Sequence, residues 1–159
     1  MFGFDRILIP TDFSPVSQAA VEAAAKIAGQ TESEIFLLHA LAPAAVIPPL
    51  GMMAVPVIPF DDGSAARGRL ENLPVPQGIN RMLVHREVVP GDPSRVIVEF
   101  ADEHDINVIV MGTHSRNGFE SFILGSVTES VVRHAKCPVL TIPAIAVACS
   151  APAFEAATK

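Results

Sequence analysis

Tryptophan and tyrosine are absent, and cysteine occurs only twice. The chain therefore has very weak near-ultraviolet absorbance of its own, so an adenine band in a purified sample would report a bound base. The two cysteines, Cys137 and Cys149, lack metal-ligand spacing. The histidines, at 39, 85, 104, 114 and 134, show no His-x3-His pair, so no structural metal set is expected. Positive charge is also scarce: 11 Lys and Arg stand against 17 Asp and Glu, a formal charge of −6. Without a basic face, a general nucleic-acid binder is excluded. One phosphate chain is still possible, because backbone amides at a helix start hold it without Lys or Arg.

Several signatures are missing as well. No glycine-rich dinucleotide fingerprint follows the first strand, and no Walker sequence occurs. Ser115 follows Gly112-Thr113-His114, which is not a nucleophile elbow. Residues 40–60 carry no charge and have the length of a membrane span, but Pro43, Pro48, Pro49, Pro56 and Pro59 would leave backbone groups unpaired in lipid, so no membrane segment is expected. Asp5 and Arg6 interrupt what would be the apolar stretch of a signal peptide, and a cytoplasmic setting is expected.

What is present is alternation. At 159 residues, half of them apolar, one globular domain is expected. Apolar runs at 6–9, 34–41, 82–89, 106–111 and 139–142 read as strands. Helical patterns fall between them at 15–28, at 64–73, from Asp92-Pro93 onward and at 126–134. Ser14-Pro15 and Asp92-Pro93 supply N-caps followed by proline at the first helical position. The first helix is read as burying Val16, Ala20, Ala23, Ala24 and Ile27, with Gly29 as its stop. The third is read as burying Val96, Ile97, Phe100 and Ala101. The expected fold is α/β, a single doubly wound five-stranded parallel sheet with helices on both faces. Its ligand crevice lies at the carboxyl ends of the strands, where the winding reverses. The short final strand, 139–142, is expected at a sheet edge, where it could pair with a second copy as a homodimer. Residues 42–60 form a proline-rich loop, read as a lid, a partner patch or a mobile insertion. Residues 144–159 form a tail.

Residues 112–128 concentrate the chemistry. A buried strand ends at Gly112, and Gly125-Ser126 opens a helix whose first N–H groups face outward at the positive end of its dipole. Such an end attracts phosphate. A competing use exists, since Ser126-x-x-Glu129 has the pattern of a capping box that satisfies the helix without a ligand.

At this point the chain resembles the universal stress protein family. The resemblance runs over residues 4–142. It is carried by Pro10-Thr11-Asp12-Phe13-Ser14, Leu38-His39, Gly91-Asp92-Pro93, Val110-Met111-Gly112-Thr113-His114, Leu124-Gly125-Ser126-Val127 and the stretch from Arg133 to Leu140. It implies a Rossmann-like domain over residues 1–143, of the adenine nucleotide alpha hydrolase-like kind, that binds ATP, or ADP or AMP in its place, together with Mg²⁺. The implied site comprises Pro10, Thr11, Asp12, Ala40, Met111, Gly112, His114, Ser115, Gly125, Ser126, Val127 and Thr128. Asp12 would meet the ribose or a phosphate-bound Mg²⁺, or serve as a turn aspartate bonding its own backbone. Ala40 would bring backbone to the adenine edge, or be plain core. His114 would reach the phosphates or be solvated. Gly112 would let the ribose or phosphate lie against backbone.

The nucleotide-binding branch of the family has Gly-x2-Gly-x9-Gly-Ser/Thr. This chain reads Gly112-x2-Ser115-x9-Gly125-Ser126, with serine in place of the second glycine. A Cβ there costs affinity if the position needs positive φ, and is tolerated if only its N–H is used. No residue set supplies an obvious general base for a γ-phosphate, so ATP is expected as a regulatory ligand. A nucleotide-free dimeric signalling module and a slow ATP hydrolase are the alternatives.

Overall fold

Each apolar run pairs with another as the alternation requires. The computed structural model describes residues 4–42, 63–76, 80, 83–113 and 124–143. Its elements follow one another as β1 (Arg6–Pro10), α1 (Pro15–Thr31), β2 (Glu34–Leu41), α2 (Ser64–Glu71), β3 (Val84–Pro90), α3 (Pro93–Glu103), β4 (Val108–Gly112), α4 (Ser126–His134) and β5 (Val139–Ile142). The strands form one parallel sheet in the order β3-β2-β1-β4-β5. The expected five-stranded α/β sheet is the fold.

The central strand shows why the runs are uninterrupted. Ile7, Leu8 and Ile9 of β1 are all fully buried because helices cover both faces. Ile7 and Ile9 join a core with Ala20, Val21 and Ala24 of α1 and Leu70 of α2. Leu8 faces the other way, into a core with Val96, Ile97 and Phe100 of α3 and Val131 of α4. Full burial of each such aliphatic side chain stabilises the fold by about 1.5–3 kcal/mol. The chain steps outward from β1 to β2 and β3, then crosses back past β1 to β4 and β5. The winding therefore reverses between β1 and β4, which opens a crevice at their carboxyl ends.

Some local expectations are corrected. α1 does not stop at Gly29 but runs on to Thr31, and the left-handed turn falls on Glu32 (φ 55°). Ala28 is buried one turn before that end, and the Thr31 hydroxyl donates to the Ile27 carbonyl (3.0 Å), so the last turn is held without a glycine. The buried stripe of α1 is Ser17, Ala20, Val21, Ala24, Ala25 and Ala28; Val16, Ala23 and Ile27 only flank it. Ser17 was not among the residues expected in this stripe. Its hydroxyl donates to the Ser14 carbonyl (2.9 Å) and meets the Thr11 hydroxyl (3.0 Å), so it is buried with its bonds made. Ile106 precedes β4 instead of starting it; its N–H bonds the Ala101 carbonyl (3.0 Å) as the chain leaves α3. The buried face of α3 is the one expected.

Both cap expectations at prolines hold. Ser14 accepts from the Ser17 N–H, and Asp92 accepts from the Arg95 N–H. At the sheet edge β5 is half-exposed, with Leu140 41% accessible. Among the described residues, no helix is long and apolar enough to cross a membrane.

Candidate nucleotide site

A cavity of about 750 Å³ occupies the crevice where the winding reverses. Ligand pockets generally fall at roughly 300–1,000 Å³. Pro10, Thr11 and Asp12 enter it from the end of β1, Ala40 from β2, Met111 and Gly112 from β4, and Gly125, Ser126, Val127 and Thr128 from the start of α4. Every expected site residue that is described thus lines one cavity. His114, Ser115 and nearly all of the 42–60 loop lie outside the described residues.

The first turn of α4 is the distinctive wall. Its N-cap is Gly125, which has no side chain to offer, and among the described residues no side-chain hydrogen bond caps the helix. The capping box read from Ser126 and Glu129 does not form. Gly125, not Ser126, is the N-cap, and the Glu129 carboxylate instead pairs forward with Arg133 at 2.8 Å. Among the described residues no side chain satisfies the first N–H groups of this turn. Thr128 is buried, and its hydroxyl donates to the Gly112 carbonyl (3.1 Å), fixing the helix against the end of β4.

Gly112 has a packing reason to be glycine besides the one expected. A Cβ there would sit 2.6 Å from Val16 Cγ1 and 3.1 Å from the Val16 backbone. Close approach of α1 to β4 therefore already demands glycine at this position.

The loop after β1 is held by its own bonds. Thr11 is buried; its N–H bonds the Leu38 carbonyl (2.8 Å), and its hydroxyl meets Ser17 and accepts from the Phe13 N–H (3.0 Å). Its carbonyl accepts from His39 Nδ1 (2.8 Å), which requires that nitrogen to carry the proton. Asp12 is exposed and its carboxylate accepts from the Ser14 N–H (3.1 Å), the turn role anticipated for it. Ala40 is half-buried, packs against the α3-side core and lines the cavity.

Sequence reasoning missed Ser14, Ser17, Leu38, His39, Pro93 and Ile97 as lining residues. Their signals were present but assigned elsewhere: to caps, to a buried face and to the Leu38-His39 and Gly91-Asp92-Pro93 motifs. The described lining holds no Lys or Arg and one carboxylate, Asp12. A phosphate there would be met by amides and the α4 dipole. No group of three or more His, Cys, Asp or Glu able to hold a metal occurs among the described residues. A single carboxylate beside phosphate oxygens and water does suit Mg²⁺, which commonly binds through such mixed sets. Half-buried Cys137 packs at the α3-side core, and burial pushes its thiol up, as befits an inert core sulfur.

The sequence profile of the universal stress protein family matches residues 3–143. The chain belongs to the universal stress protein family. It is 32% identical over 142 residues to a universal stress protein of Methanocaldococcus jannaschii, covering 87% of this chain and 82% of the relative. Among solved structures it is similar to the universal stress protein UspA of Lactobacillus plantarum, with a TM-score of 0.64 and 26% identity over 87% of this chain and 97% of the other. It also shares its fold with a universal stress protein of Archaeoglobus fulgidus solved in complex with dAMP (TM-score 0.58, 22% identity, 89% and 99% coverage).

Proposed function

We propose that this universal stress protein binds an adenine nucleotide, ATP with Mg²⁺ foremost, as a regulatory ligand and not as a substrate. The observation that carries the reading is the first turn of α4, which no described side chain caps, opening onto a cavity of about 750 Å³. Phosphates would lie against the amides of Ser126, Val127 and Thr128, and the base would lie toward Ala40. Asp12 would face the ribose or a phosphate-bound Mg²⁺. A dAMP complex of a protein with the same fold supports the ligand class at the level of fold. The protein is read as cytoplasmic and homodimeric, with β5 of each copy pairing at the exposed sheet edge.

Calorimetric titration of the native chain with MgATP tests the ligand. Saturable one-to-one binding per chain is expected. No heat and no adenine absorbance in the purified protein would leave the nucleotide-free dimeric module as the better reading. Sedimentation at micromolar concentration tests the dimer, and a monomer there removes it.

A further inference from the structure

We infer that Arg69 is a positioning residue for this site. From α2 it holds Phe13 in a left-handed backbone turn and so fixes the arm, residues 11–14, that forms one wall of the cavity. The inference rests on the nucleotide reading above.

Phe13 has φ 63°, a region that bulky side chains rarely enter, so the turn must be held from outside. Two local bonds contribute, Phe13 N–H to the Thr11 hydroxyl and Ser14 N–H to the Asp12 carboxylate. The rest comes from the ring. It packs against the His39 imidazole, centroids 4.6 Å apart, and the Arg69 guanidinium carbon lies over it at 4.1 Å. His39 is itself fixed by its bond to the Thr11 carbonyl, so ring, imidazole and loop backbone close on one another.

The geometry separates the brace from the ligand. Thr11, Asp12 and Ser14 line the cavity, whereas Phe13 packs toward the α1-side core. Arg69 is not among the described lining residues. α2 is a firm base for it: Leu70 is buried, and the Leu70 carbonyl accepts from Arg86 Nε of β3 (3.1 Å). Loss of the guanidinium removes support for the left-handed turn. The arm then spends part of its time in an ordinary conformation with Asp12 displaced, and apparent affinity falls with the competent fraction.

The test titrates ATP and adenosine into native protein, Arg69→Ala, Phe13→Gly and the double variant. Glycine adopts the left-handed turn without a brace, so it uncouples the loop from Arg69. Arg69→Ala is expected to weaken both ligands by the same factor, roughly three- to tenfold. In the Phe13→Gly background the same substitution is expected to change neither. An unaltered affinity in Arg69→Ala, or a loss that persists beside Phe13→Gly, overturns the inference. A loss confined to ATP also overturns it, because it reveals direct phosphate contact. If native protein binds neither ligand, the nucleotide reading has failed before any variant is compared.

Discussion

α3 and α4 start at the same crevice and treat their first turns in opposite ways. α3 is closed by its own chain: the Asp92 carboxylate accepts from the Arg95 N–H (3.1 Å) and from the Ser94 hydroxyl (2.6 Å). α4 begins at Gly125 with no cap from a described side chain, while Glu129 is engaged with Arg133. Pro93 and Ile97 of α3 line the crevice, and so do Gly125, Ser126, Val127 and Thr128 of the α4 start. A helix that caps itself contributes shape to a pocket. One that does not has first-turn donors to offer a ligand, as proposed above for α4.

The comparison is broken most strongly by giving α4 the cap that α3 has. Gly125 adopts φ −60°, ψ 153°, a conformation open to any residue, so Gly125→Asp introduces no backbone strain. The new carboxylate would occupy the first-turn amides and repel phosphate. Calorimetry is expected to show ATP affinity reduced by roughly a hundredfold or more, as charge-assisted bonds worth about 1.5–3 kcal/mol each are lost. Thermal stability should be equal to or slightly above the parent's, because aspartate caps better than glycine by only about a few tenths of a kcal/mol. Affinity and stability moving in opposite directions would distinguish a lost site from a damaged fold.

A second variant separates scaffold from site within the same wall. Gly112→Ala drives a methyl into Val16. Overpacking of this kind costs about 1–3 kcal/mol, which denaturant unfolding measures directly. Here stability is expected to fall first, with affinity following only as the α1 to β4 contact shifts.

The smallest effect sharpens the α3 side. The Ser94 hydroxyl, and then the Arg95 N–H, hold the Asp92 carboxyl below its ordinary value of 3.8. A carboxylate held down in the folded state adds stability above that value and loses it as pH falls through the folded value. Asp92→Asn should therefore melt slightly below the parent at neutral pH, and the gap should close in strong acid. Melting curves at both pH values check this, and ATP affinity at neutral pH should not change. A gap that widens in acid would contradict the assigned cap.

Much of this was legible in the residues because it follows from local rules. Uninterrupted apolar runs such as Val108 to Met111 gave the parallel sheet, and Asp92-Pro93 and Ser14-Pro15 marked two helix starts. The failures came where tertiary contacts override local pattern. Ser17 joins the buried stripe only once Thr11 and the Ser14 carbonyl are brought to it. Glu129 reads as a cap partner until Arg133 takes it one turn later. The packing of Val16 on Gly112 likewise appears only once α1 is laid against β4. The left-handed turn at Phe13 has no sequence signal, since its support comes from His39 and Arg69, on two other elements.

The central claim concerns the amides at the start of α4, and they can be watched individually. Backbone N–H resonances of Ser126, Val127 and Thr128, followed by NMR as MgATP is added, should shift together and saturate with the calorimetric affinity, while the capped amide of Arg95 stays near its starting position. Saturable binding that leaves those three signals in place would contradict the account.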